Sequence, residues 1–239
     1  MTVLGDLVGR ERRSERVALR VADRDRDHSY RNFCTTAWKA GHALRHLGVH
    51  EGSRVALVPE PTPQIVQTCF GAALLGARVT FDPHADARVV VGPVDREADL
   101  DGERRVVVYG GAPEASTTTH WERVVWSENP AVPPGERSPD EVVLEDGSRS
   151  FTHCDLLTRA DRVDIDAETS VALRASLADP RAMIAGVLAP LSVDGSVVLP
   201  GGVATAVADV AVSDDAVPEP RRIALDTVSV TRSGERRGP

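Results

Sequence analysis

The chain has almost no lysine: of its 28 basic residues, only Lys39 is one. Aromatics make up 4% of the 239 residues, and there are three cysteines, Cys34, Cys69 and Cys154, odd in number and far apart. Such spacing excludes a disulfide framework and a paired Cys-x-x-Cys metal or redox site, and leaves buried thiols as the simple reading. No apolar run approaches the roughly 18 to 20 residues that span a bilayer, and the opening MTVLGDLVGRERRSER lacks the apolar core of a secretory signal. These gaps predict a cytoplasmic protein with no membrane partner. With 36 acidic residues against 28 basic ones, the net charge is -8, which disfavours a nucleic-acid backbone as partner.

What is present is a globular composition, 41% hydrophobic, in a chain long enough for one large domain or two small lobes. A strand-like run RVALRVAD (Arg16 to Asp23) and a charged turn lead into a helix over Asn32 to Leu47. There Phe33, Ala37, Ala40, Leu44 and Leu47 recur at three and four residues, along one face. SRVALV reads as a buried strand. Thr62 as cap and Pro63 in the first turn announce a second helix. Three β-rich runs follow, at Arg78 to Phe81, Ala87 to Val91 and Arg104 to Tyr109. Strands alternating with helices predict parallel pairing.

Residues Gly110 to Glu141 change character, with prolines at 113, 130, 133, 134 and 139, and read as a linker. Trp121, Val124 and Val125 stand at helical spacing within it, so its middle is expected to pack across a lobe. After the linker the earlier order returns: EVVLED answers RVALRVAD, TSVALRASLADPRAMIAGVLAPL answers SRVALVPEPTPQIVQTCFGAALL, and RRIAL answers RRVVV. The expected fold class is α/β, two similar lobes of mostly parallel sheet flanked by helices, built from tandem βαβαβββ units. The expected division is a first lobe at 1–112, a Pro-rich linker at 113–137, a second lobe at 138–230 and a disordered tail at 231–239. A plain α/β rhythm without duplication is the alternative.

The passage HSYRNFCTTAWKAGHALRHLGVHEGSRVALVPEPTPQIVQTCFGAALLGARVTFDP (His28 to Pro83) resembles the N-terminal region of AMP-binding, acyl-CoA synthetase-like proteins, the adenylate-forming superfamily. The shared order is a helix start at a hydroxyl residue and tyrosine, a Leu-Gly-Val passage into a strand, a helix, and a strand ending in proline. THCDLL and the later APLSVDGSVVLPGG resemble that family's continuation beyond its phosphate loop. The resemblance implies the fold of such an N-terminal domain. It also implies a Ser/Thr/Gly-rich phosphate loop ending in Pro-Lys-Gly, because backbone approach to pyrophosphate needs glycine and its charge needs a cation. Residues 142 to 153 depart from that pattern: Gly147, Ser148 and Arg149 are the only candidates for a vestigial loop. Tyr109-Gly110-Gly111 imitates two letters of the family's Tyr-Gly-x-Thr-Glu motif. Separately, the lysine-poor, Asp-rich composition resembles proteins of salt-loving archaea; a GC-rich genome that writes arginine for lysine accounts for it equally.

No catalytic residue and no metal ligand set is assigned. His42 and His46 have chelating spacing on a helix but no third ligand nearby, and His153, Cys154 and Asp155 are neighbours that cannot face one another as a triad. In open α/β sheets ligands favour the carboxyl ends of the strands, which selects Thr62, Asp82, His84, Asp179, Gly201 and Gly202 as cleft candidates. No motif supports ATP, AMP or CoA as a cofactor. The expectation is a truncated AMP-binding-like protein that does not adenylate alone and acts as a binding or regulatory module. Its partners would be a ligase-like subunit or a second copy, and its ligand a small acid, nucleotide or CoA. The alternative is one subunit of a split acid-CoA ligase, AMP-forming, that supplies the acyl pocket.

Overall fold

The computed structural model describes residues 1–100, 102–147 and 149–230. The expected tail at 231–239 and Ser148 lie outside the described residues. Strands β1 (Val17–Val21) and β2 (Arg26–Ser29) precede helix α1 (Tyr30–His46), and the charged turn read from the sequence is in fact this second strand. Ser29 caps α1, accepting a hydrogen bond from the Asn32 N–H. Then come β3 (Arg54–Leu57), α2 (Pro63–Leu74), β4 (Arg78–Thr80), β5 (Val89–Pro93) and β6 (Arg105–Tyr109). The linker holds β7 (Thr119–His120) and α3 (Trp121–Ser127), which packs on α1 as its helical spacing predicts.

The second half runs β8 (Val142–Asp146), β9 (Arg149–Thr152), α4 (His153–Ala160) and β10 (Ser170–Leu173). Next, α5 (Pro180–Met183) widens into a π-helical stretch, Ile184–Leu188, before α6 (Ala189–Ser192). Pro190 explains the widening, since it has no N–H for the carbonyl four residues back. Strands β11 (Ser196–Leu199), β12 (Val210–Val212) and β13 (Arg221–Ile223) complete the chain.

The two sheets do not follow the expected division of the chain at residues 112 and 138. One sheet runs β13-β12-β10-β11-β1-β2 and the other β7-β6-β5-β3-β4-β8-β9, so each half lends its opening hairpin to the other half's sheet. Leaving out β7, the two orders correspond strand for strand. The main pairings are parallel, and among the described residues only the lent hairpins, β1 with β2 and β8 with β9, are antiparallel. Glu145 on β8 fixes its hairpin with ion pairs to Arg54 at 2.6 Å and Arg78 at 2.9 Å. At the other junction, the Tyr30 hydroxyl donates to the Gly195 carbonyl at 2.8 Å.

Alternate residues of the parallel strands bury opposite faces. Val55, Leu57, Val89 and Val91 join Val171, Leu173, Val197 and Leu199 in one core shared with α1, α2, α4 and the π stretch. Ala56, Val58, Val90 and Val108 form a smaller core on the far face of the first sheet, and Ala172, Val198 and Ala211 on that of the second.

Helices α1 and α2 approach closely because two glycines face each other. A Cβ added at Gly71 would lie 2.6 Å from the Gly41 nitrogen and 3.0 Å from the Ala37 carbonyl oxygen, both backbone. Gly71→Ala gains about 1 kcal/mol of helix propensity, whereas forcing the helices apart costs about 1–3 kcal/mol. The expected outcome in a urea titration is a lower midpoint with an unchanged slope.

Candidate functional site

The carboxyl ends of the two sheets meet where the loop after β3 touches the loop after β10. The Leu177 N–H donates to the Pro59 carbonyl at 2.9 Å. Two of the six sequence-selected residues, Thr62 and Asp179, lie on these loops, and the other four lie on the loops after β4 and β11. Thr62 caps α2, accepting from the Ile65 N–H at 3.3 Å. Asp179 caps α5 by accepting from the Arg181 N–H at 2.9 Å, and its carboxylate also pairs with the Arg181 guanidinium at 2.5 Å. Burial pushes the Asp179 pKa upward, but its hydrogen bonds to Arg181 and the charges of Arg181 and Arg149 outweigh burial and hold it below the usual range.

Gly201, exposed in the loop after β11, has φ +59, a left-handed conformation that favours glycine, and an added Cβ would lie 2.5 Å from Cγ of the exposed Asp23 side chain. Gly202 beside it is exposed and open. Asp82 and His84 form an exposed turn after β4, with Asp82 Oδ1 accepting from the His84 N–H at 2.9 Å. Thr62 and Asp179 are thus helix caps, Asp82 and His84 a self-contained turn, and Gly201 an exposed left-handed turn position.

The phosphate-loop position is a tight hairpin. β8 ends at Asp146 and β9 begins at Arg149, leaving two residues between them, and Gly147 takes the left-handed conformation such a turn requires, φ +56. The Arg149 guanidinium is paired with Asp146 and lies 6.0 Å from the Phe151 ring. The cation of this hairpin is thus engaged by the hairpin itself.

Other sequence candidates are engaged in structural contacts. His42 Nε2 contacts the Ala131 carbonyl at 3.1 Å and His46 Nδ1 contacts Glu128 Oε1 at 2.7 Å, so the pair clamps the linker. Lys39, on the same helix as these histidines, donates to the carbonyl of Trp126 on α3 at 2.8 Å. Among the described residues no group of three or more His, Cys, Asp or Glu is placed to hold a metal. Gly110 gives its N–H to Glu122 Oε1 at 3.0 Å, and Tyr109, pushed up to about 12 by burial, ends β6 beside Thr62. His153 is buried, Cys154 is exposed, and Asp155 completes a capping box with Thr152, so the three do not converge.

Two features had no signal in the sequence because each depends on a partner distant along the chain, Gln64 for Glu122 and Glu219 for Arg174. Glu122 gathers Gln64 at 3.0 Å and His120 at 3.1 Å at the carboxyl end of the first sheet. In the second, Arg174 grips Glu219 through two bonds of 2.9 and 2.6 Å and also donates to the Val203 and Thr205 carbonyls. The Glu219 side chain is 0% exposed. This pair fixes the loop that follows Gly201 and Gly202.

Comparison with known proteins gives a consistent fold. Residues 9–91 match the family described as AMP-binding enzyme. The chain superposes on a benzoate CoA ligase from Burkholderia xenovorans LB400 with a TM-score of 0.75 at 20% identity, covering 89% of this chain and 50% of the ligase. The anthranilate CoA ligase AuaEII, solved with anthranoyl-AMP, gives 0.74 at 19% identity, covering 88% of this chain and 49% of that one. The N-terminal domain of FACL13 from Mycobacterium tuberculosis gives 0.71 at 17% identity, covering 89% and 63%. In sequence, the shikimate dehydrogenase (NADP(+)) of Rhodopseudomonas palustris (strain TIE-1) is 29% identical over 130 residues, 50% of this chain and 46% of that protein. The chain spans about half the length of the dehydrogenase and of the two full ligases. Its fold is that of the N-terminal domain of adenylate-forming enzymes.

Glu219→Gln leaves the half-buried Arg174 without its counter-charge but with its Val203 and Thr205 carbonyl bonds, a change that costs about 1–3 kcal/mol. A thermal melt is expected to show a loss of stability, with rapid proteolysis of the loop at residues 200–209. The wild-type pair also loses strength in acid: burial raises the Glu219 pKa, but hydrogen bonds from Arg174 and its charge hold it below the ordinary value. That contribution is present at neutral pH and fades as pH falls through the depressed value.

Proposed function

We propose that this chain is an AMP-binding-like scaffold that does not form an acyl adenylate on its own and acts as a binding or regulatory module. The observation that carries the reading is the hairpin at Gly147. Where the resemblance calls for a glycine-rich loop and a lysine, two residues turn the chain and Arg149 is held by Asp146. The surrounding charges reinforce it. Arg181 feels Asp179, Asp214 and Asp226 together, so the charge of this cation is already countered by carboxylates. The matching strand orders of the two sheets support reading the halves as copies of one unit, with a small acid, a nucleotide or CoA as ligand of the seam.

Purified chain is expected to give no exchange of pyrophosphate into ATP above background with a panel of aliphatic and aromatic acids. Sustained, acid-dependent exchange would overturn the proposal.

A second reading is favoured by the superposition of most of this chain on two aromatic acid-CoA ligases. In it the chain supplies the acyl pocket of a split, AMP-forming acid-CoA ligase, and a separate polypeptide supplies nucleotide contacts and lysine. Affinity purification from the native cell is then expected to recover a ligase-like polypeptide whose addition restores adenylation. Recovery of the chain alone, or only with copies of itself, counts against this reading.

A further inference from the structure

His153 stands at the first position of α4 with 1% of its surface exposed. One bond orients its ring: the Leu4 N–H donates to Nδ1 at 3.1 Å. A backbone N–H only donates, so Nδ1 presents a lone pair and the ring proton sits on Nε2. Nε2 is buried without a hydrogen-bond partner among the described residues. A second proton has to enter at Nδ1, where it opposes the Leu4 N–H and places a charge in a dry site. Burial pushes the ring's pKa below its ordinary value; Glu141 opposes this, Arg137 adds to it, and Asp6 opposes it, without reversing the direction. These three are the charged groups facing the ring, Asp6 from the N-terminal turn and Arg137 and Glu141 from the linker.

The turn that His153 holds is a short 3-10 helix, Leu4–Val8, with Leu4, Leu7 and Val8 buried against α1 and α2. Asp6 ties its start by accepting from the Thr2 and Val3 N–H groups at 2.6 and 3.2 Å. Trp38 on α1 donates from Nε1 to the Val8 carbonyl at 2.8 Å. The Leu4 bond is therefore the polar link from this turn to the second half of the chain.

We propose that residues 2–8 form an acid-released strap: neutral His153 holds the Leu4–Val8 turn against the helices, and a proton taken from solvent onto Nδ1 breaks the Leu4 bond and frees it. In the released state the ring is solvated and regains the ordinary histidine pKa of about 6.5. The closed strap is at full strength above that pH. It weakens as pH falls below it, until the depressed native value is passed.

Hydrogen exchange of the full chain, corrected for the intrinsic pH dependence of exchange, reads this directly. Between pH 7.5 and pH 5.0 the amides of residues 2–8 are expected to lose protection as pH falls below the ordinary value, by at most about tenfold for each pH unit, while those of β3 and β10 do not change. His153→Asn, which offers a neutral acceptor near the place of Nδ1, is expected to keep the strap protected at both pH values. His153→Phe is expected to leave it exposed at both. Undiminished protection of the wild-type strap at pH 5.0 overturns the proposal, as does an equal acid loss in His153→Asn. Should the variants fail to fold, long-range proton–nitrogen NMR of the wild-type ring decides. Support is an unprotonated Nδ1 at pH 7.5 and a ring titration that coincides with strap opening; a proton on Nδ1 at pH 7.5, or titration without opening, refutes it.

Discussion

The parallel ladders of β1 with β11 and of β8 with β4 are the constraint on which the fold rests. Each sheet is completed by a hairpin drawn from the other half of the chain, so neither half satisfies its backbone alone. An isolated first half would leave the inner edge of β4 unpaired and its own β1–β2 hairpin without a sheet. Unpaired edges of that kind are costly and prone to aggregate. The exchange therefore makes the two lobes one cooperative structure, and the shared core that takes in one face of each sheet is its apolar counterpart.

The same exchange sets the geometry of the seam. Because β8 and β9 belong to the first sheet while α5 follows β10 of the second, Arg149 is brought within electrostatic reach of Asp179, and Pro59 within a hydrogen bond of Leu177. The position that resembles a phosphate loop thus lies at the meeting of the lobes. Two residues of turn and a self-paired arginine occupy it. The framework of adenylate-forming N-terminal domains and this short hairpin coexist without conflict: the ladders and core specify the first, and the few residues between β8 and β9 specify the second.

The linker shows how local and distant signals divide. Trp121, Val124 and Val125 announced a packed helix, and α3 packs on α1. What the helix packs with was not legible: His42 and His46 have the spacing of a metal pair, and only their contacts with Ala131 and Glu128 show them to be clamps. Likewise Thr62 and Asp179 were chosen as cleft residues from their place after strands, yet each side chain caps its own helix, a role that hydroxyl and carboxylate before proline also signal.

By itself the sequence determined the elements: helical faces from the recurrence of Phe33, Ala37, Ala40 and Leu44, parallel strands from their continuous apolar runs, and starts and stops from caps and prolines. These are properties of neighbours along the chain, within reach of one turn or one pleat. Only the tertiary structure decided which hairpin joins which sheet, which buried charge faces which, and that Leu4 meets His153. Those pairings join residues scores of positions apart, where the choice depends on closing whole ladders and filling a shared core, and no local pattern encodes it.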